Sequence, residues 1–322
     1  MSDALRHIPV MAREAVAAMN PRDGNTFADF TYGDGGYTRA LLDSASCRVW
    51  ALDRDAAAIA RADTLAKSYD GRMRTTRTTF GDAATALRAE GVQSVDGVVM
   101  DLGVSSFQLD DPERGFSFSK DGPLDMRMGN EGLTAADLVN TLSEGDLADT
   151  LFKLGEERHA RRIARAVVEM RGRRRIERTD DLAEIVARVA PADRRPGGVT
   201  IHPATRTFMA LRMLVNDELG ELERGLAAAE DLLAPEGRLA VISFHSLEDR
   251  TVKQFLVERT GSEANPSRHL PPAQTKRAPT FRLLHRGVEK PGDDEIAANP
   301  RSRSARLRAA VRTDAPAWAR AA

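Results

Sequence analysis

One segment restricts the fold of this chain more than any other. Phe27-Ala28-Asp29-Phe30-Thr31 is a short apolar run that leads into Tyr32-Gly33-Asp34-Gly35-Gly36, and Tyr37 to Leu42 can continue as a helix. A strand that passes through closely spaced glycines into a helix lets the main chain approach a ligand with no Cβ in the way. Asp53 follows Gly33 by twenty residues, at the end of the next apolar run, Cys47 to Leu52. An acid at that spacing can accept hydrogen bonds from both hydroxyls of a ribose. Loop and acid together predict a nucleotide-type site; a glycine turn with a surface aspartate is the plain alternative.

The alternation continues. Ala56 to Lys67 is an Ala-rich helix, Arg74 to Phe80 suits a third strand ending at Gly81-Asp82, and Val95 to Met100 a fourth ending in Asp101. Strands that alternate with helices and end in acids or glycines predict an α/β fold with a mainly parallel sheet and a ligand at its carboxyl edge. From about Ser105 to Leu133 the chain is rich in Gly, Asp and Arg without a period, which predicts a functional loop. Thr134 with Asp137 and Ser143 with Asp146 read as capping boxes, and Leu182, Ile185, Val186 and Val189 as a helix stripe. A further stripe, Phe208, Leu211, Val215, Leu219 and Leu222, follows Pro203. Arg238 to Phe244 then reads as a strand, and Phe281 to Leu284 as another after the Pro-rich stretch Asn265–Pro279. The expected division is discontinuous: 1–104 with 205–322 form the sheet domain, and 105–204 a helical insertion. A length of 322 residues suits two domains.

Formal net charge is -1, which excludes a histone-like polycation. That average conceals two basic stretches. Arg158 to Arg178 holds nine arginines against Glu169 and Glu177, and Asn299 to Arg312 holds five, including Arg301 and Arg303, with no acid. Each alone reads equally as a solvated face or frayed tail; two of them, built from the side chain that forks onto phosphate, point to an anionic partner. A single cysteine, Cys47, excludes a disulfide framework and a Cys-rich zinc site. No apolar run approaches the roughly 18 residues of a membrane span, and the N-terminus lacks a signal-peptide layout. A cytoplasmic protein is expected.

Three constellations carry chemistry. The loop Gly33-x-Gly35-Gly36 lacks the third glycine of the dinucleotide fingerprint, and Asp34 would repel a pyrophosphate. S-adenosylmethionine has no phosphate and carries a cationic sulfonium and amino group, so a loop bearing Asp29 and Asp34 suits it better; Asp82 adds an acid where an adenine amine could be held. Second, Asp101-Leu-Gly-Val-Ser-Ser106 follows the fourth strand. Acceptors there could bind the protons of an exocyclic amine and help its nitrogen pyramidalise for in-line attack on a methyl group, or Asp101 could only brace the loop. Third, His245, Glu248 and Asp249 follow a later strand. A hydrogen-bonding turn is favoured over a metal site, and no metal is expected. No Gly-x-Ser-x-Gly elbow or Walker loop occurs, so hydrolase and NTPase readings lack support.

These strings resemble one family, the bacterial 16S rRNA cytosine N4-methyltransferases called RsmH or MraW. The likeness rests on His7-Ile-Pro-Val10, Asp29-Phe-Thr-Tyr-Gly-Asp-Gly-Gly36, Asp53-Arg-Asp55, Asp101 through Asp110, Arg114-Gly-Phe-Ser-Phe118 and Gly122 through Met128. It continues in Gly155-Glu-Glu-Arg158, His202-Pro-Ala-Thr-Arg-Thr-Phe208, Ile242 through Arg250 and Asn299 through Ser304, loosening at 192–200 and 258–280. The resemblance implies a class I SAM-dependent methyltransferase fold with an inserted helical domain that recognises rRNA. It implies S-adenosyl-L-methionine as cofactor and a cytidine in the decoding centre of the small ribosomal subunit as target. Carried onto this chain, the cofactor contacts fall on Gly33, Gly35, Gly36, Tyr37, Asp53, Asp82, Ala83, Asp101 and Gln108. Tyr37 stands where many members have His, Ala83 where others have Phe, and Met209 where Gln is common.

The expected reaction is methyl transfer to the N4 amine of a cytidine splayed from its stack. Asp101 would serve the transfer site, Ser105, Ser106 and His245 would hold the base, and Arg173, Arg174, Arg175, Arg301 and Arg303 would grip rRNA phosphates. Two rivals remain: a DNA amino-methyltransferase, and an rRNA-binding assembly factor on a methyltransferase fold.

Overall fold

The computed structural model describes residues 9–194, 200–261 and 277–318. His7 and Ile8 of the first matching string, and residues 265–276 of the Pro-rich stretch, lie outside them. The chain divides into two compact units: Met1–Gly103 with Leu219–Ala322, and Val104–Glu218.

The first unit is a seven-stranded sheet. In chain order the strands of the molecule are β1 (Thr26–Asp29), β2 (Arg48–Asp53), β3 (Met73–Arg77), β4 (Val95–Asp101), β5 (Asp193–Arg194), β6 (Thr200–Ile201), β7 (Leu233–Ser243), β8 (Phe281–Leu283) and β9 (Arg306–Arg312). The sheet runs β3-β2-β1-β4-β7-β9-β8. β3, β2, β1, β4 and β7 are parallel, and β9 is antiparallel to both β7 and β8. Alternate residues of each inner strand enter different cores, as a sheet covered on both faces requires. Ala28, Trp50, Leu52, Val98 and Val241 pack on the helices Ala83–Ala89, Glu218–Leu232 and Ser246–Arg259. Phe27, Val49, Ala51, Val99 and Ala240 pack on Ala12–Met19, Gly36–Ser44 and Ala56–Ala66. The chain leaves β1 outward to β2 and β3 and returns to β4, so the strand order reverses between β1 and β4. At such a switch point the crossover helices diverge and leave a crevice beyond the carboxyl ends.

β9 rules out the frayed tail that stood as the plain alternative for 299–312. It lies between β7 and β8, and three of the five arginines serve the fold. Arg306 and Arg308 both bridge to Asp249 at 2.7 Å, and buried Arg312 donates to the carbonyls of Glu230 and Thr280. Arg301 and Arg303 are exposed on the 3-10 turn Pro300–Ser304.

The second unit is helical around its own core. Its helices include Ala135–Thr141, Glu144–Gly155, Ala160–Arg171, Thr179–Val189 and Ala204–Val215, with β5 and β6 as a short antiparallel pair. Thr134 and Asp137 form a reciprocal capping box, and Ser143 caps the next helix through Asp146 N–H at 3.1 Å. The aperiodic segment after residue 105 is partly core, since Phe116, Leu124 and Met126 are buried there with Leu147, Leu151, Ile163 and Leu182. The stripe Phe208 to Leu222 is cut in two. Phe208 and Leu211 belong to this core, Leu222 to the sheet's, and the helix breaks at Asn216 and Asp217, which has φ 48°. Asn216 fixes the break: its side chain accepts from Met128 N–H and donates to the carbonyls of Met126 and Arg212. The second unit therefore ends one helix later than periodicity indicates. Among the described residues no helix is long and apolar enough to cross a membrane.

Candidate active site

The carboxyl ends of β2, β1 and β4 each finish in an aspartate, so Asp53, Asp29 and Asp101 stand on three adjacent strands. Asp29 is fully buried. Its carboxylate accepts the Thr38 hydroxyl at 2.7 Å and the Thr31 N–H at 3.2 Å. Burial pushes its pKa up to about 6, and the Asp53 charge adds to the rise.

The loop between Asp29 and the helix Gly36–Ser44 is held from several sides. Gly33 and Gly35 have φ of 51° and 73°. A Cβ on Gly35 would lie 2.6 Å from the Tyr32 ring, so this residue must be glycine on both counts. Gly33 N–H donates to Asp53 Oδ2 at 2.8 Å, and Arg61 and Arg39 donate to the carbonyls of Gly33 and Asp34. Tyr37 is buried in the first turn of the helix and its hydroxyl donates to the Val10 carbonyl.

Asp53 accepts a second main-chain donor, Asp55 N–H, at 2.8 Å on Oδ1. Each carboxylate oxygen has a further lone pair, so Asp53 is oriented by the backbone and still able to accept two hydroxyls. Burial raises its pKa, against the two N–H groups that lower it.

Asp101 is placed differently. Its N–H donates to the Thr31 hydroxyl at 2.6 Å, while its buried Oδ1 has no hydrogen-bond partner among the described residues. Burial holds its pKa well above the usual carboxylate range, and the charges of Asp29, Glu248 and Asp34 push the same way. A buried carboxylate oxygen left unpaired costs free energy that a bound cation or hydrogen-bond donor would recover.

After β3 the main chain makes a 3-10 turn, Phe80–Asp82. Asp82 is exposed and accepts the Thr79 hydroxyl at 3.2 Å. Ala83 is buried in the sheet core, and its N–H returns to the Phe80 carbonyl, so its side chain and donor are both used internally. Gly81 N–H is held by Glu221 at 3.0 Å.

His245 caps the helix Ser246–Arg259. Its Nδ1 accepts Glu248 N–H at 3.5 Å, and Glu248 Oε2 accepts Phe244 and His245 N–H. The arrangement is a capping box, the hydrogen-bonding turn favoured on sequence. With Nδ1 accepting, the proton of the neutral ring sits on Nε2.

Ser105, Ser106 and Gln108 fall in the second unit. Ser105 Oγ accepts Gln108 N–H, and Gln108 Oε1 accepts Ser105 N–H, a capping box on the short helix Ser106–Asp110. The first arginine run splits by partner. Arg174 pairs with Asp181 at 2.6 Å, Arg175 with Asp137 at 2.9 Å, and Arg178 with Asp121. Arg158, Arg162 and Arg173 are exposed without an ion-pair partner among the described residues.

Sequence reasoning missed the supporting groups Thr31, Thr38, Arg39 and Arg61. Thr38, in the first turn after the glycines, had a positional signal; the arginines had none.

A mainly parallel sheet reversing between β1 and β4, a glycine loop, an acid at the end of β2 bonded to that loop, and an acidic crevice define a class I S-adenosylmethionine-dependent methyltransferase. The acids fit a cationic cofactor, and the glycine loop leaves main chain open to it. The chain belongs to the MraW methylase family, which it matches over residues 4–313. It is 56% identical to a "Ribosomal RNA small subunit methyltransferase H" of Paramagnetospirillum magneticum, covering 97% of each chain. A protein of the same name from Rhodospirillum centenum is 58% identical, over 97% of this chain and 93% of that one. An rRNA methylase structure from Streptococcus thermophilus is similar at TM-score 0.39 and 10% identity, over 94% of this chain and 95% of that one.

Proposed function

We propose that this protein methylates the N4 amine of a cytidine in the 16S rRNA of the small ribosomal subunit, at the decoding centre and in the cytoplasm. The observation that carries the reading is the row of three aspartates at the switch point, in a chain 56% and 58% identical to small-subunit rRNA methyltransferases. Bound S-adenosylmethionine supplies a methyl group on a sulfonium, electrophilic without further activation. Asp53 holds the ribose through two oxygens fixed by Gly33 and Asp55. The glycine loop lets main-chain groups meet the methionine part, and Asp29 with Asp101 makes the crevice favourable to positive charge.

The cytosine amine is a weak nucleophile because its lone pair is delocalised into the ring. Asp101 Oδ1 accepts one amine N–H, which favours a pyramidal nitrogen aimed at the methyl group. After transfer the nitrogen has an excess proton. A carboxylate whose proton affinity is raised by burial takes it at the same oxygen. Ser105, Ser106 and Gln108 are assigned to the base and cofactor, and the exposed arginines of the insertion and of Pro300–Ser304 to rRNA phosphate.

The test uses S-adenosylmethionine labelled in the methyl group with small subunits from a strain lacking this enzyme. The expected product is N4-methylcytidine in 16S rRNA, identified by mass spectrometry of nucleosides. Label in duplex DNA and not in subunits would make it a DNA amino-methyltransferase. Binding to subunits without cofactor binding by calorimetry would make it an assembly factor.

A further inference from the structure

Two of the strings singled out on sequence, Gly155-Glu-Glu-Arg158 and His202-Pro-Ala-Thr-Arg-Thr-Phe208, have no part in the cofactor site. Both lie in the helical unit, and the fold brings them to one cavity of about 230 Å³. Its walls are Glu157, Arg158, His159, Pro191, Ala192, His202, Pro203 and Arg206. We infer that this cavity is a second binding site, for a phosphate group of the RNA backbone. The inference rests on the proposed rRNA substrate and adds where the insertion holds it.

Charge and geometry argue together. Arg158 and Arg206 bring two permanent positive charges from two separate helix starts. The one carboxylate in the wall, Glu157, is buried and already accepts His159 N–H at 2.7 Å. The helices Ala160–Arg171 and Ala204–Val215 both begin at the cavity, so the positive ends of two helix dipoles lie at it. In the first turn of the former, the N–H groups of Arg161 and Arg162 have no intrahelical acceptor.

His202 adds a donor with a fixed direction. Its Nδ1 accepts Ala204 N–H at 3.2 Å and its ring stands 4.7 Å from that of Phe118, which orients the imidazole and leaves Nε2–H to donate. The volume is below the ~300–1,000 Å³ of pockets that enclose whole small molecules, and a phosphate with the edge of its sugar fits it. Exposed Arg161 and Arg162 continue the positive charge along the adjoining helix, as a strand of phosphates would need.

The test is binding of the full chain to a 16S rRNA fragment across salt. Arg158 is exposed and without an ion-pair partner among the described residues, so Arg158→Gln should fold, checked by an unchanged thermal midpoint. Arg158→Gln and Arg206→Gln should each weaken binding about tenfold and lower the slope of log K against log salt by about 1. Arg158→Lys should keep the slope. Arg188→Gln, which removes an exposed charge paired with Glu184 at 3.0 Å, should keep it as well. Unchanged slopes in the first two variants, or an equal loss in Arg188→Gln, would overturn the site. The outcome is separable from the proposed activity, because methylation of small subunits by the parent protein is read independently of the salt slope.

Discussion

Asp53 Oδ2 accepts the main-chain N–H of Gly33 at 2.8 Å, so the acid at the end of β2 and the glycine loop after β1 are one hydrogen-bonded unit. Removing the carboxylate therefore does two things: it deletes the acceptors proposed for the ribose and frees a loop donor. Hydrogen bonds to a charged acceptor are worth about 1.5–3 kcal/mol each. Asp53→Ala should weaken S-adenosylmethionine binding roughly a hundredfold or more, measured by calorimetry. Binding equal to the parent's would show that Asp53 does not hold the ribose.

Gly35 tests the loop from the other side. Its φ of 73° disfavours any side chain, and a Cβ would meet the ring of buried Tyr32 at 2.6 Å. Backbone strain and overpacking together come to about 2–4 kcal/mol. Gly35→Ala should lower the thermal midpoint by at least about 5 °C and weaken cofactor binding with it. An unshifted midpoint would mean that Tyr32 and the loop yield more readily than their burial indicates.

Asp101 is expected to act on the transfer itself. Asp101→Asn keeps the volume but replaces a proton-accepting carboxylate, and should lower kcat by about 10²–10³-fold, the loss seen when one preorganised electrostatic group is removed. Cofactor affinity should fall much less. Because burial and neighbouring acids raise the pKa of Asp29, Asp53 and Asp101, a cationic ligand binds better to their ionised forms and displaces protons. Affinity for S-adenosylmethionine should rise between pH 5 and 7, with proton release visible as a dependence on buffer ionisation heat.

The parts that local chemistry dictates were legible in the sequence. A strand running into glycines, with an acid twenty residues on, marks Gly33 and Asp53 as parts of one site, and the Gly33 N–H does meet the Asp53 carboxylate. What charge alone could not reveal was the partners. Arg306, Arg308 and Arg312 look like tail cations, yet Asp249 and the carbonyls of Glu230 and Thr280 hold them in β9. Arg174 and Arg175 look as free as Arg173, yet Asp181 and Asp137, remote or nearby in sequence, claim them across the fold. Periodicity failed at Asn216 for a similar reason, since the stripe from Phe208 to Leu222 is continuous and only the side-chain bonds of Asn216 to Met126 and Met128 show where it breaks.

The cost of the acidic crevice should be measurable in Asp29. Its pKa rises from 3.8 to about 6 because it is fully buried. Between those values the native state keeps a proton that the unfolded state has lost, so stability falls as pH rises through the window and levels off above it. At pH 8 the ionised group carries a penalty of about 3 kcal/mol. Asp29→Asn removes that penalty and retains one oxygen for the Thr38 hydroxyl, but it loses the second acceptor that holds Thr31 N–H, about 1 kcal/mol. The variant should thus be more stable than the parent by about 2 kcal/mol at pH 8 and less stable by about 0.5 kcal/mol at pH 4. Denaturant unfolding across pH checks this through a crossing of the two curves. Parallel curves would show that Asp29 is ionised with little strain in the folded protein, and that the crevice is better solvated than its burial implies.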